Sequence, residues 1–252
     1  MEVIQKLAAT FVFRNCYKIL YISLFMVPDI YDVLNYPERG RNKELERALD
    51  DMGVQLIPFG TEKIYGVPVL GKGWSSVVFC GFLQKKKVAV KIQRADATRT
   101  SLQKEASFLR VTNTYRIGPT LYYEGETFLI IEYLEGSPIR KVPVRREHIL
   151  SFFHQCHTLD SLHIDHGQIQ GGKHLLVGEK CWIIDFEKAG YRRPKNVSAL
   201  VSELFLKKTK FAREMRAHFQ IDLHTLIEAT RHYKHDLKIG ALLDAIFSRC
   251  KR

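Results

Sequence analysis

Cysteine is scarce in this chain and unpatterned: Cys16, Cys80, Cys156, Cys181 and Cys250 lie far apart, with no C-x-x-C spacing. That scatter argues against a disulfide framework and for reduced packing or surface residues, which points to the cytoplasm. Long apolar runs are missing too. The segment from Cys16 to Val27 is mostly apolar, but Arg14 and Lys18 interrupt it, and it falls short of the roughly 18 to 20 residues that span a bilayer. With no convincing cleavage site either, residues 1–27 read as an apolar extension packed as helix or strand, and a membrane partner is not expected. The chain also lacks internal repeats, low-complexity linkers, an RNA-binding motif and an interleaved aromatic stripe.

Acidic residues are in the minority. The 27 Asp plus Glu against 39 Lys plus Arg leave a formal net charge of +12. The basic residues gather at Arg140, Lys141, Arg145 and Arg146, at Arg192, Arg193 and Lys195, and in the tail from Lys207 to Arg252. Such clusters form either a solvated basic surface or a site for RNA or an acidic protein partner, since cations that neutralise phosphates release counterions.

A length of 252 residues, 46% of them hydrophobic, is enough for two lobes. Residues 28–63 read as a small amino-terminal module. In it Asn42 caps a helix bearing Leu45, Leu49 and Met52, Gly53 ends that helix, and Val54 to Phe59 form a strand. Then comes Leu70-Gly71-Lys72-Gly73-Trp74-Ser75-Ser76, followed at strand distance by Val88-Ala89-Val90-Lys91. Gly71 and Gly73 are expected to let the backbone turn through φ > 0 and approach a phosphate, with Ser76 as the third small residue. Alternation through Val88 to Lys91 sets the ammonium on one defined face.

Thr98 to Val111 carries apolar residues at a helical period, with Glu105 beside the buried face. Thr120 to Glu124 and Phe128 to Tyr133 read as two strands, the second running through Glu132 and Leu134 into Gly136. A helix over Arg145 to Leu162 delivers the chain to His163-Ile164-Asp165-His166-Gly167-Gln168. Leu175 to Val177 and Trp182-Ile183-Ile184-Asp185 read as a hairpin ending in an aspartate, and Ala199 to Phe205 and Leu223 to Tyr233 as amphipathic helices. His163, His166 and His174 lack the Cys or carboxylate spacing of a zinc site, so hydrogen bonding within the loop is the expectation for them.

The glycine loop joined to V-A-V-K, the following helix with Glu105, and the Asp185-Phe186 pair together resemble protein kinases over about residues 64 to 252. The fold implied is a bilobal α+β one, with an N-lobe over 64–135 and a compact C-lobe over 136–252. With no A-P-E segment and only 67 residues after Asp185, the chain is most similar to small atypical serine/threonine kinases. These are the RIO type, the small kinase of the KEOPS tRNA-modification complex and a group of predicted archaeal kinases; the Ile183 to Ala189 string also resembles lipopolysaccharide core kinases.

The resemblance implies ATP and Mg²⁺ as cofactors and a protein substrate. Gly71, Gly73 and Ser76 would cover the phosphates, Lys91 with Glu105 would clamp them, and the segment from Glu132 to Leu134 would bind adenine. Asp185 would bind Mg²⁺, with Gln170 or His174 as second support. Two alignments of the catalytic loop stand. His163-x-Asp165 makes Asp165 the acid/base group and is the favoured one, while His166-Gly167-Gln168 puts a neutral amide in that slot. Glu187 replaces the usual glycine after Asp185-Phe186, so backbone freedom there is expected to be reduced. A nucleotide-binding scaffold and a small-molecule or glycan kinase are the alternatives.

Overall fold

The computed structural model describes residues 29–97 and 101–248. The extension 1–27, the first turn expected at Thr98, and the end of the basic tail lie outside them.

The first part of the chain is a twisted antiparallel sheet. A helix α1 (Lys43–Asp51) leads into β1 (Val54–Ile57), β2 (Glu62–Ile64), β3 (Val67–Val69), β4 (Gly71–Lys72), β5 (Ser76–Leu83) and β6 (Lys86–Gln93). Helix α2 (Ser101–Asn113) follows, then β7 (Leu121–Glu124) and β8 (Phe128–Glu132). The strands lie in the order β1-β5-β6-β8-β7, with β4 paired to β5.

Period-2 alternation along β6 builds a separate core on each face. Val88, Val90 and Ile92 pack with Phe79, Ile130, Leu45 and Leu49 on one face. Ala89 packs with Leu129, Ile131 and the α2 residues Leu102, Ala106 and Leu109 on the other. The stretch read as a separate module at 28–63 is thereby merged into the sheet lobe. Asn42 does cap α1, its Oδ1 accepting from Leu45 N at 3.1 Å, and Gly53, at φ +69°, turns the chain into β1. Val54 and Leu56 then share the Phe79 core because β1 pairs with β5, and Ile64 of β2 joins the same core.

The second part is mainly helical. After β9 (Gly136–Pro138) come α3 (Arg146–Ser161), β10 (Ile164–Asp165), β11 (Leu175–Gly178), β12 (Cys181–Ile183) and β13 (Gly190–Tyr191). Helix α4 (Asn196–Val201) runs on into a π-helical turn, and α5 (Lys210–His218), α6 (Leu223–Asp236) and α7 (Gly240–Phe247) complete the lobe. Phe152, Phe153, Leu159, Phe186, Leu200, Phe205 and Tyr233 form its core, which is continuous with the α2 face of the sheet. The fold is thus α+β with two lobes, the second one compact. Among the described residues, no helix is long and apolar enough to cross a membrane.

A buried polar knot holds the second lobe at the end of α3. Asp160, 1% exposed, accepts from Asn196 N at 2.9 Å, Asn196 Nδ2 at 2.7 Å, Val197 N at 3.2 Å and Tyr233 Oη at 3.0 Å. Asn196 in turn donates to Ile164 O at 2.7 Å and accepts from His166 N at 2.9 Å. One carboxylate and one amide therefore tie α3, the 164–168 loop, α4 and α6. Two of the basic residues are likewise spent on internal pairing: the buried Glu203 carboxylate is bonded by Arg140, by Lys207 at 2.8 Å and by Gly171 N at 2.8 Å. Removing either half of the knot strands buried polar groups. Asp160→Ala and Asn196→Ala are each expected to cost about 3 kcal/mol. The double variant should cost clearly less than their sum in urea titrations, because the two lose the same bonds. Additive costs would contradict the shared network.

Candidate active site

Lys91 lies on the face of β6 that looks toward α2, and it is 5% exposed. Its Nζ donates to Glu105 Oε2 at 2.5 Å and to Asp185 Oδ1 at 2.9 Å. Glu105 is placed by α2, one residue before Ala106 on the buried side, and is 1% exposed. Asp185 follows β12 and takes a left-handed backbone, φ +67°. Asp tolerates that region better than most residues, and such strain collects at functional sites. Its other oxygen lies 3.3 Å from His174 Nδ1.

Burial pulls the Lys91 ammonium down, but Glu105 and Asp185 more than offset it and hold it above its ordinary value. Burial pushes the Asp185 carboxyl up, and Lys91 outweighs that to leave it below the usual carboxylate range. Glu105 is pushed up by burial, against the pull of Lys91. One ammonium thus faces two carboxylates, so the cluster has room for further positive charge. Asp185 keeps 29% of its side chain exposed, which leaves it open to a hard cation that takes one carboxylate together with phosphate oxygens.

The glycine loop is a hairpin tip between β4 and β5, closed by Gly73 N donating to Ser76 O at 2.8 Å. Neither Gly71 nor Gly73 adopts positive φ. The hairpin is open at Gly71, where a Cβ would meet nothing within 4 Å, and tight at Gly73, where one would approach Ser76 O at 3.2 Å. Ser76 is buried inside β5, so its side chain does not cover the cleft; Ser75 precedes it with a buried hydroxyl that has no partner among the described residues. Trp74 stands at the tip, 87% exposed.

At the end of β8 the Glu132 carboxylate accepts from Thr120 N at 3.1 Å and Thr120 Oγ1 at 2.7 Å. Its side chain is spent locally. Leu134, half-buried, follows in the irregular link from β8 to β9.

In the 163–174 loop the two candidate histidines have different surroundings. His163 is exposed and left-handed at φ +56°. Asp165 is 2% exposed, pairs through β10 with β13, and takes Arg192 Nε at 2.6 Å. The structure does not bring Asp165 to the Lys91 cluster. His166 is fully buried, with Nε2 3.0 Å from Ile184 O, its ring edge-on to Phe186 and Nδ1 accepting from Gln168 N at 3.3 Å. Gly167, at φ +78°, has no room for a Cβ, which would sit 2.9 Å from Lys188 O. His166 is therefore the histidine locked against the Asp185-Phe186 segment, and Gln168 is the residue two places on. Gln170 is exposed, whereas His174 is the group that reaches Asp185. Glu187 sits within a short 3-10 turn, so the unusual backbone falls on Asp185 instead. The sequence pattern marks Arg192 only as part of a basic cluster, includes Ser75 in the glycine loop without a role, and leaves Asn196 unmarked. The spacing of Asn196 from Asp160 is set by the fold and leaves no local signal.

These features define a two-lobed α+β fold with a lysine, a glutamate and an aspartate gathered between its lobes. No family model matches the chain. An uncharacterized protein of Methanocaldococcus jannaschii is 35% identical over 81 residues, which cover 30% of this chain and 69% of that protein, and the chain belongs to its family. Among solved structures, a Rio2 kinase complex with ADP, Mg²⁺ and phosphoaspartate from Chaetomium thermophilum aligns with a TM-score of 0.48 at 15% identity. That alignment covers 80% of this chain and 73% of the other.

Two outcomes follow from this geometry. Glu105→Ala should cost about 3 kcal/mol in urea titration, since a buried charge loses its better partner, and adding Lys91→Met should recover most of that loss. An unrecovered loss would mean that packing, not charge, holds the pair. Burial also pushes the His166 imidazole down to about 4. A histidine held neutral in the fold contributes stability above its unfolded value of about 6.5 and loses it as pH falls toward 4. The loss should approach about 3 kcal/mol. Stability measured from pH 7 to pH 4 should fall less steeply in His166→Gln, and equal slopes would refute the assignment.

Proposed function

We propose that this chain binds ATP with Mg²⁺ between its lobes and transfers the γ-phosphoryl group to a hydroxyl. The observation that carries the reading is the Lys91 ammonium, held by Glu105 and directed at Asp185 from a strand beneath a glycine hairpin. When bound, the magnesium nucleotide supplies the transferable group and neutralises the charge that develops on it. Lys91 pairs with phosphate oxygens, Asp185 holds the metal, and the Gly71 and Gly73 hairpin approaches the phosphates without side chains in the way. The irregular link through Leu134 offers backbone groups to adenine. Phosphoryl transfer asks the protein mainly for positioning and electrostatics. Gln168 can orient an acceptor hydroxyl but cannot usefully take its proton, and Asp165 is neutralised by Arg192. Slow turnover is the consequence.

The resemblance to atypical kinases makes a protein serine or threonine the acceptor to test first, with RNA or an acidic protein as a partner for the remaining basic surface. A small-molecule acceptor is the second reading, favoured by a half-open cavity that shares His174 with the cluster.

The test separates binding from chemistry. Asp185→Asn should abolish magnesium-dependent binding of a fluorescent ATP analogue. Gln168→Asp should raise phosphoryl transfer or ATP hydrolysis by on the order of 10²-fold, as a carboxylate base contributes. Nucleotide binding with no turnover in either protein would leave a scaffold. Wild-type affinity in Asp185→Asn would remove the assignment of the metal site.

A further inference from the structure

Beside the cluster lies a half-open cavity of about 440 Å³, formed by the 165–174 loop, the start of α4 and one residue of α6. Lys173, Lys195 and Lys234 line it, each from a different element. All three are exposed. The lysines that do form ion pairs among the described residues are Lys91, Lys188, Lys207 and Lys210, so none of the three has a carboxylate partner there. The one acid in the lining, Asp165, has 3% of its side chain exposed and is already paired with Arg192. Gln168 presents a neutral amide where a carboxylate would repel an anion. The cavity is therefore positive on balance.

A second observation points to a ligand. Gln168 Oε1 and His174 Nε2 are buried atoms without a hydrogen-bond partner among the described residues. Both residues line this cavity, and His174 is 5% exposed. Buried polar atoms of this kind are rarely left unpaired, and a hydroxyl, which both donates and accepts, can satisfy either one. Three ammonium groups suit a phosphate dianion, which offers several acceptor oxygens to point charges. The volume falls in the range of small-molecule sites. Hydroxyl recognition and phosphate recognition are thus adjacent, next to the residues proposed to hold the nucleotide phosphates.

We propose that this cavity binds a small hydroxyl compound that already carries a phosphate group, the lysines taking the phosphate and Gln168 with His174 taking hydroxyls. Its role as acceptor rests on the phosphotransfer reading above. In the transfer, an acceptor oxygen bonds to the γ-phosphorus while the bond from that phosphorus to its bridging oxygen breaks. ADP leaves with the electron pair and the hydroxyl proton passes to solvent, since Gln168 cannot take it.

Calorimetry on the full chain at constant ionic strength tests this with glycerol 3-phosphate, glycerol and a phosphoserine peptide as probes. Glycerol 3-phosphate should bind at least about tenfold more tightly than glycerol, and Lys195→Ala combined with Lys234→Ala should erase that difference. Affinity for a fluorescent ATP analogue should be unchanged in the double variant, which also shows that it is folded. Equal binding of glycerol and glycerol 3-phosphate, or no effect of the double variant, overturns the proposal. Tighter binding of the phosphoserine peptide overturns it in favour of a protein ligand. Should the ATP analogue fail to bind even the wild type, the phosphotransfer reading falls, while phosphate binding in the cavity stands or falls on its own data.

Discussion

A single buried ammonium sets the geometry on which the rest of this structure depends. Lys91 comes from the middle of the sheet, Glu105 from the helix packed on that sheet, and Asp185 from the second lobe, and all three meet within hydrogen-bond distance. A charge this deeply buried is tolerable only when paired, so sheet, helix and second lobe are held in one arrangement. The pairing is also unequal. Two carboxylates against one ammonium leave the cleft able to accept further positive charge, as a hard metal ion would bring. Structural and proposed chemical roles thus come from the same three side chains.

The second lobe places its part of that cluster through polar contacts rather than apolar packing alone. Asp160 and Asn196 pin the start of α4 and the 164–168 loop. From there His166 reaches Ile184 O, and that contact braces the backbone just before Asp185. A chain of hydrogen bonds therefore runs from the lobe's core to the left-handed residue that faces Lys91. The strain at Asp185 is supported by neighbours that cannot easily relax. Rigidity here is consistent with a site that works by positioning.

The loop keeps negative charge away from the cavity. Asp165 is buried against Arg192, and the residue two places beyond the locked histidine is an amide. A neutral amide at that point cannot take a proton but lets an anion approach. The three lysines of the adjoining cavity add positive charge on the other side. In the proposed reading, weak base catalysis and affinity for an anionic ligand therefore share one origin.

Local pattern by itself determined the secondary elements and the partners of the cluster. Alternation through Val88 to Lys91 set the face of the lysine, helical periodicity set Glu105 beside the buried side of α2, and three apolar residues led to Asp185, because these signals depend on neighbours two to four residues away. Tertiary structure alone decided matters of longer range. It brought residues 54–57 into the sheet through pairing of β1 with β5 and left Gly71 and Gly73 without positive φ. Both histidines have a polar residue two places on, so spacing does not separate them. Packing sets His166, not His163, against Phe186, and Asp165 against Arg192, contacts that reach residues more than 18 positions away. Those contacts depend on where distant segments come to rest, and no local period encodes that.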